Sequence, residues 1–312
     1  MRTQTCCEVS PAAVAPDELG HLDVLESEAI HIMREVAGQF ERPVLLFSGG
    51  KGSLVMLHLA LKAFRPAPMP FRLLHLDTGH NFPEVMAHRD AIVEHHRLDL
   101  SVVPVREYAD ADPLRERPAG SRDPLRTFPL ADVLRRGRHN AALEGTRGDA
   151  DTGRAGPRVF SPRGESRPEH HEQRPELWSL YNSRHRAGEH MRVLPLAHWT
   201  ELDVWHYVDR EGIELPDVYY AHERRVVPRA DRWLAAGDHA PRGSEPVEKR
   251  LVRYRTVGDM SCTEAVESAA VTVTEVIDEI TSLRTGEPGS TRADARWPAA
   301  GVETREREAY FS

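Results

Sequence analysis

The stretch VLLFSGGKGS, residues 44–53, combines a short continuous apolar run with a glycine-rich segment. Because Pro43 precedes the run and two glycines follow it, Val44–Phe47 is predicted to be a buried parallel strand. Apolar residues recur at helical spacing from Leu54 to Phe64, which predicts a helix directly after the loop. Backbone N–H groups at such a helix start, together with serine hydroxyls, can bind a phosphate. The segment Ser48–Ser53 is therefore a candidate anion-binding loop.

The loop does not match two common nucleotide-binding motifs. A Walker A loop needs Lys followed by Ser or Thr, but Lys51 is followed by Gly52. The glycine spacing also differs from G-x-G-x-x-G. A strand-to-helix turn that binds no ligand remains an alternative, because short glycine-rich motifs are weak evidence on their own.

Similar patterns of strand and helix continue on both sides of the loop. Helices are predicted over Leu22–Phe40 and Phe82–His95, and strands over Phe71–Leu76, Leu100–Val105, Ala141–Leu143 and Arg192–Leu196. This alternation predicts an α/β fold with a parallel sheet. Ligands in such folds lie beyond the carboxyl ends of the strands. Because Ser48, Asp77 and Arg147 each follow a predicted strand, we expect them to share one crevice.

Composition excludes several classes of protein. The chain has 312 residues and a formal net charge of −8, so it has no global basic field for nucleic acid. It contains no apolar stretch of membrane-spanning length, and its N-terminus does not resemble a secretory signal. Its three cysteines, Cys6, Cys7 and Cys262, form no C-x-x-C pair. We therefore expect a cytoplasmic protein without a membrane span, a nucleic-acid partner or a metal site built from cysteine.

Shifts in composition suggest three regions. Residues 1–20 are predicted to be a loose arm and residues 21–212 an ATP-binding domain, within which 147–174 would be a mobile basic loop. Residues 213–312 are predicted to be an irregular extension that contacts a partner. Within the extension, Arg250–Arg255 has the pattern of a solvated or partner-facing strand, from which an arginine could also reach the nucleotide. A helix is predicted around Val273–Leu283.

Longer motifs give a specific resemblance. The loop resembles the pyrophosphate-binding PP-loop, Ser-Gly-Gly-x-Asp-Ser. The segments 74–84 (LHLDTGHNFPE), 173–178 (QRPELW), 196–205 (LAHWTELDVW) and 252–259 (VRYRTVGD) resemble the small, catalytic subunit of heterodimeric sulfate adenylyltransferase. The resemblance extends from about Leu22 to Phe311. It implies a Rossmann-like domain of the adenine nucleotide alpha-hydrolase type.

The resemblance also implies an activity and a site. The family transfers AMP from ATP to sulfate in sulfate assimilation, giving adenosine 5′-phosphosulfate and pyrophosphate, with Mg²⁺ and a large GTPase subunit as partner. By resemblance, the phosphates would be held by Ser48, Gly49, Gly50, Lys51 and Ser53, and the nucleotide crevice would be lined by Asp77, Thr78 and Gly79. Lys51 would also act in catalysis, together with the residues of the basic loop: Arg147, Asp149, Arg154 and Arg158.

The chain departs from the family at the loop and at the basic segment. Gly52 stands where the PP-loop has Asp, and the segment from Arg147 has lost three of the family's cations. Three interpretations therefore remain open: a working but slower enzyme, a copy retuned to another acceptor, or a partner subunit without catalysis. If the missing carboxylate limits the rate, Gly52→Asp is expected to raise it.

Other functions fit the sequence less well. The related phosphosulfate reductases use a C-terminal cysteine, which residues 295–312 lack. Enzymes that form thiouridine in tRNA need paired cysteines and a basic surface. The pairs His95-His96 and His170-His171 are expected to be solvated, because adjacent histidines point to different faces. A plain nucleotide-binding module remains open.

Overall fold

The computed structural model of the protein describes residues 20–105, 124–147, 158–163, 176, 180–186, 188–229, 232–236, 246–260 and 263–285. Its main sheet contains β1 (Pro43–Leu46), β2 (Arg72–Asp77), β3 (Leu100–Pro104), β4 (Ala141–Leu143), β5 (Phe160–Arg163) and β6 (His190–Val193). The strand order is β3-β2-β1-β4-β6-β5, and every neighbouring pair is parallel except β5 with β6. The predicted α/β fold with a parallel sheet is confirmed.

Helices cover this sheet and share its core. They are α1 (His21–Gln39), α2 (Lys51–Phe64), α3 (Pro83–His96), α4 (Pro124–Arg136), α5 (Glu201–Glu211) and α6 (Val273–Thr285). Helix α1 packs against α2 through the stripe that its spacing predicted, namely Leu25, Ala29, Ile32, Met33 and Val36. Helix α5 begins at a capping box, as its sequence indicates, because Thr200 and Asp203 exchange backbone and side-chain hydrogen bonds.

The strand order identifies where a ligand is expected. From β1 the chain continues to β2 and β3 on one side, whereas β4 and β6 lie on the other side. The strand order therefore reverses between β1 and β4. In α/β proteins, ligands bind in the crevice beyond the carboxyl ends of the strands at such a reversal. The candidate loop follows β1, and Gly145, Thr146 and Arg147 follow β4. Because β1 and β4 are parallel neighbours, the two segments begin side by side at the carboxyl edge of the sheet.

The C-terminal region is not the irregular extension that its composition suggested. Strands β7 (His222–Arg229), β8 (Arg232–Ala235), β9 (Glu248–Tyr254) and β10 (Glu264–Glu267) form a closed antiparallel barrel, and α6 follows it. Buried barrel residues belong to the same core cluster as α1, α2 and the main sheet. Period-two patterning in these strands is interrupted by charged residues, so only β9 and α6 were recognised from the sequence.

Two further elements were not predicted. Helix α4 precedes β4, and β5 lies within the 147–174 segment that was expected to be a basic loop. Strand β5 is short and contains Pro162 and Arg163, so it lacks the apolar run of a central strand. Within the described residues, no helix combines the length and apolar character needed to cross a lipid bilayer.

Candidate active site

The predicted anion-binding loop lies between β1 and α2. Gly49 has a φ of +77°, a left-handed conformation that L side chains rarely adopt, and a Cβ there would lie 3.0 Å from Val85. The Ser48 hydroxyl accepts the Gly50 N–H at 3.3 Å, and the Ser53 hydroxyl donates to the Gly50 carbonyl at 2.8 Å. The two hydroxyls lie 3.3 Å apart. The turn thus gathers both hydroxyls at the positive end of α2.

The loop meets the end of β4 through a pair of glycines. A Cβ on Gly52 would lie 2.4 Å from the carbonyl oxygen of Gly145, and a Cβ on Gly145 would lie 2.6 Å from the carbonyl carbon of Gly52. Such separations are far below an ordinary van der Waals contact, so neither position has room for a side chain as the two backbones stand. Gly52, which stands where the PP-loop has Asp, therefore lies where the backbones that follow β1 and β4 come very close together.

The Lys51 side chain does not extend into the mouth of the crevice. It is 3% exposed, and its Nζ lies 3.3 Å from the Arg255 carbonyl oxygen and 3.7 Å from Glu201 Oε1. The ammonium also lies 4.4 Å from the centroid of the Trp205 ring, within the range of a cation–π interaction. This arrangement does not support the prediction that Lys51 contacts phosphate, because the ammonium would have to leave these three groups.

Glu201 is the acidic centre of this buried cluster. The Arg255 guanidinium forms a bidentate contact with the Glu201 carboxylate, in addition to the nearby Lys51 ammonium. Burial alone would raise the pKa of the Glu201 carboxyl, but Lys51, Arg255 and Arg147 outweigh it and hold the pKa well below its usual range. Glu201 is therefore a carboxylate at neutral pH. Arg147, a predicted site residue, is thus close enough to act on Glu201 electrostatically.

Tyr219 supports the loop from a third direction. Its hydroxyl accepts the Lys51 backbone N–H at 2.6 Å, and the Tyr219 side chain is 1% exposed. The same hydroxyl lies 3.3 Å from the position of a Cβ on Gly50. The Tyr219 hydroxyl thus accepts one of the backbone N–H groups at the start of α2, and the Tyr219 side chain limits the space beside the loop.

The predicted crevice residues form a hydrogen-bonded turn after β2. Asp77 Oδ1 accepts the Gly79 N–H at 2.7 Å and the Asn81 amide at 3.1 Å, while the Thr78 hydroxyl donates to Asn81 Oδ1 at 3.2 Å. A cavity lies between this turn and the phosphate loop, and its lining includes Ser48, Thr78 and Asn81. The structure thus brings the two predicted groups of nucleotide-binding residues together.

His75 connects this turn to the phosphate loop. Its Nδ1 lies 3.0 Å from the Phe47 carbonyl oxygen, and its Nε2 lies 3.3 Å from the Asn81 amide nitrogen. The ring is 2% exposed. The pKa of His75 is lowered to about 4, chiefly by burial and also by Arg89, while the Phe47 carbonyl and the charge of Asp77 act in the opposite direction. The imidazole is therefore neutral at pH 7.

The basic-loop residues are only partly described. Arg147 follows β4, and Arg158 precedes β5. Because Phe160 pairs with Val193 at the end of β6, Arg158 lies toward the carboxyl edge of the parallel strands, three strand positions from β1. That spacing corresponds to about 14 Å, so Arg158 is farther from the phosphate loop than Arg147 is. The other two predicted residues, Asp149 and Arg154, lie outside the described residues.

Several residues of the site were missed by sequence reasoning. Glu201 and His75 were noted only within the motifs that carry the family resemblance, and Tyr219 received no role. The prediction that Arg250–Arg255 form a solvated strand is only partly correct. Arg250 pairs with Glu248 and Glu267 at the surface, but Arg253 is fully buried against Glu279, and Arg255 reaches Glu201. Long-range pairing of this kind leaves no local signal in the sequence.

Metal ligands are sparse in the described part of the chain. It contains no group of three or more His, Cys, Asp or Glu side chains placed to hold a metal ion. Of the carboxylates near the loop, Glu201 pairs with Lys51 and Arg255, and Glu144 pairs with Arg192 at 3.2 Å. Asp77, by contrast, accepts neutral N–H donors. It is therefore the carboxylate best suited to help hold a metal that is bound mainly by phosphates.

Comparison with known proteins identifies the family. The family model of the phosphoadenosine phosphosulfate reductase domain matches residues 42–265, which include the loop, the crevice and the barrel. Sulfate adenylyltransferase subunit 2 of Streptomyces lavendulae is 60% identical over 298 residues, covering 95% of this chain and 93% of the relative. The chain belongs to the sulfate adenylyltransferase subunit 2 family. The resemblance stated from the motifs is therefore confirmed, as is the PP-loop nucleotidyltransferase class.

Other members of the sulfate adenylyltransferase subunit 2 family are similar over an equal length. The protein of that name from Mycolicibacterium vanbaalenii is 53% identical over 296 residues, with 94% of this chain and 96% of the relative covered. The one from Mycobacterium sp. strain JLS is 51% identical over 309 residues, with 98% and 100% covered. Because coverage is nearly complete on both sides, the likeness includes the barrel and α6 as well as the nucleotide-binding sheet.

Proposed function

We propose that this protein transfers the adenylyl group of ATP to sulfate, forming adenosine 5′-phosphosulfate and releasing pyrophosphate. A sulfate oxygen forms a bond to the α-phosphorus, and the bond from that phosphorus to the bridging oxygen of the pyrophosphate breaks. The observation that carries the proposal is the loop Ser48–Ser53: it presents a helix start and two hydroxyls at the point where the strand order reverses, in a chain 60% identical to sulfate adenylyltransferase subunit 2.

The chain would act chiefly by binding and orientation. Transfer at a phosphorus shielded by negative charge depends on in-line positioning and on groups that offset the repulsion. In the proposed complex, Ser48, Gly50 and Ser53 hold the departing pyrophosphate at the start of α2. Asp77 and its turn line the nucleotide crevice. Arg147, at the end of β4, offers a planar fork to the oxyanion that attacks.

Lys51 has a different role in this proposal from the one its position in the loop suggests. With Glu201 and the Arg255 carbonyl as neighbours, it supports the loop from inside the protein. Asp149, Arg154 and Arg158 remain proposed members of the basic segment. When Mg²⁺ is bound with ATP, it offsets phosphate charge, and Asp77 is the residue proposed to contribute to holding it.

A partner subunit is part of the proposal. The relatives are named as subunit 2, which implies at least one other subunit. We propose that this subunit is a large GTPase and that the pair works in the cytoplasm during sulfate assimilation. The formation of a phosphosulfate anhydride is unfavourable, so coupling to a second hydrolysis would be needed for net product.

An adenylylation assay tests the function. Purified protein is incubated with ATP, Mg²⁺ and sulfate, selenate or molybdate, with and without the GTPase subunit, and pyrophosphate release is measured. We expect release that depends on the oxyanion and is lowered at least ten-fold by Ser53→Ala. Ser282→Ala is the matched control, since it removes a hydroxyl that donates to a backbone carbonyl at an exposed position of α6. Oxyanion-independent release, or none from any of the mixtures, would refute the proposal.

A further inference from the structure

Among the hydrogen bonds of the described residues, His75 is the one side chain that links two segments: Phe47, which leads into the phosphate loop, and the turn after β2. It lies on β2, and Phe47 immediately precedes the loop. Because a backbone carbonyl can only accept a hydrogen bond, the His75 proton must be on Nδ1. In the neutral ring, Nε2 is then an acceptor.

The Asn81 amide is oriented by this acceptor. Its NH₂ group has two hydrogens, of which one faces His75 Nε2 at 3.3 Å and the other faces Asp77 Oδ1 at 3.1 Å. Its oxygen accepts the Thr78 hydroxyl at 3.2 Å. A reversed amide would direct its oxygen at two acceptors, His75 Nε2 and Asp77 Oδ1, and would lose both of those bonds. The three partners therefore allow one orientation only.

The turn is also held from its outer side. Asn81 and Asp259 form an isolated backbone bridge, and the Met260 N–H donates to the His80 carbonyl at 2.9 Å. These contacts fix the turn to the segment after β9, which itself meets the phosphate loop through Arg255 and Val257. The pairing of β1 with β2 joins the two backbones here, with the Phe47 N–H donating to the Leu74 carbonyl at 2.8 Å. The bonds through His75 add a side-chain link from Phe47 to the Asn81–Asp77 pair.

We propose that His75 is a positioning residue for nucleotide binding: its ring fixes the Asn81 amide, and through Asn81 the Asp77 carboxylate, relative to the phosphate loop. The proposal rests on the proposed function only in that the ligand of the crevice is ATP. It predicts that the bond to Asn81, rather than the presence of a well-packed ring, determines the affinity.

Two substitutions separate the two bonds of His75. In His75→Asn the side-chain NH₂ can replace Nδ1 as donor to Phe47, but nothing reaches Asn81. In His75→Gln the longer side chain can present an acceptor to Asn81. We expect His75→Asn to raise the dissociation constant of ATP about ten-fold, the equivalent of one hydrogen bond. We expect His75→Gln to stay within about three-fold of the original protein.

The experiment measures binding of α,β-methylene ATP by isothermal titration, alongside thermal unfolding, for both variants, Asn81→Ala and the double variant His75→Asn/Asn81→Ala. Asn81→Ala should weaken binding about as much as His75→Asn, and the double variant should be no weaker than either. His190→Asn is the matched control. The pKa of His190 is also lowered to about 4, by burial and by Arg163, and His190 lies on β6, three strand positions from β2. Its substitution should lower stability without changing affinity.

The outcomes are distinguishable. Additive effects of His75→Asn and Asn81→Ala, or equal losses for His75→Asn and His75→Gln, would overturn the positioning role. Normal nucleotide binding without sulfate-dependent turnover would refute the proposed function. The affinities of His75→Asn and His75→Gln would still decide whether His75 positions Asn81. If the original protein binds no nucleotide at all, both proposals are wrong.

Discussion

Replacing Gly52 by a residue with a side chain gives the sharpest test of the site. From the sequence, Gly52→Asp is expected to raise the rate by restoring the carboxylate of the PP-loop. The structure leads to the opposite expectation, because a Cβ at residue 52 would lie 2.4 Å from the Gly145 carbonyl oxygen. That oxygen belongs to the backbone, so it cannot rotate away. An ordinary contact begins at 3.4 Å, and the exit of β4 would therefore have to move by about 1 Å.

The size of the effect follows from opposing contributions. Forcing extra atoms into a packed site costs about 1–3 kcal/mol. Replacing a helical glycine by alanine contributes about 0.5–1 kcal/mol of stability in return. Gly38→Ala in α1 isolates this second contribution, because a Cβ at residue 38 has nothing within 4 Å. We therefore expect the free energy of unfolding of Gly52→Ala to lie about 1–3 kcal/mol below that of Gly38→Ala.

Activity is expected to respond more strongly than stability. A shift of about 1 Å at Gly145 also moves Thr146 and Arg147, and misplacement of that size can lower a rate about 100-fold. The charge added by Gly52→Asp contributes only about 0.3–1 kcal/mol at a helix start, too little to offset such a loss. We thus expect Gly52→Asp to exchange pyrophosphate into ATP at least ten-fold more slowly than the original protein.

The assay combines urea denaturation with pyrophosphate exchange for the original protein and for Gly52→Ala, Gly52→Asp, Gly145→Ala and Gly38→Ala. Gly145→Ala should behave like Gly52→Ala, since it creates the reciprocal clash. If Gly52→Asp is as stable as the original protein and turns over faster, the steric argument is refuted, and the expectation from the sequence is correct.

Three further predictions concern the surroundings of the loop. Glu201→Gln leaves the buried Lys51 ammonium without its carboxylate, and we expect urea denaturation to show a loss of about 3–5 kcal/mol; a loss below 1 kcal/mol would contradict a tight buried cluster. Tyr219→Phe removes the acceptor of the Lys51 N–H and should cost about 1 kcal/mol in the same measurement, so unchanged stability would argue against that bond. Because the pKa of His75 is about 4 in the folded chain and 6.5 in the unfolded chain, its stabilisation is complete above pH 6.5 and lost as pH falls toward 4. We expect a loss of about 2 kcal/mol from this residue at pH 5, and a pH dependence weaker by that amount in His75→Gln; equal pH dependence in the two proteins would exclude it.

The sheet and the loop could be predicted because their signals are local. Val44–Phe47 is an apolar run of strand length, and the helical spacing after it begins within a few residues. Asp77 and Arg147 were placed with Ser48 in one crevice by the general rule that ligands meet the carboxyl ends of parallel strands. The rule holds here because β2, β1 and β4 are neighbours. Neither inference required knowledge of a distant contact.

The supports of the loop could not be predicted, because they depend on contacts between distant parts of the chain. Lys51 and Glu201 are 150 positions apart, and Lys51 and Tyr219 are 168 apart, so no periodicity relates them. A lysine within a phosphate-binding motif is most simply interpreted as a phosphate ligand. Only its burial and its contact with Trp205 indicate another role. The clash at Gly52 has the same origin, since Gly145 follows a different strand, β4.

These contacts show that the region beyond residue 212 supports the phosphate-binding loop of the sheet. The sheet and α2 supply the phosphate-binding loop, but Tyr219, Arg255 and Val257, all beyond the predicted boundary at residue 212, lie against it. The core is also continuous between the sheet and the barrel. Because the Lys51 side chain is buried, the loop can offer a phosphate its serine hydroxyls and backbone N–H groups. If these N–H groups are already oriented, no binding energy is used to order them. We therefore expect the barrel region to aid nucleotide binding by holding the loop in shape, whatever it contributes to contact with a partner subunit.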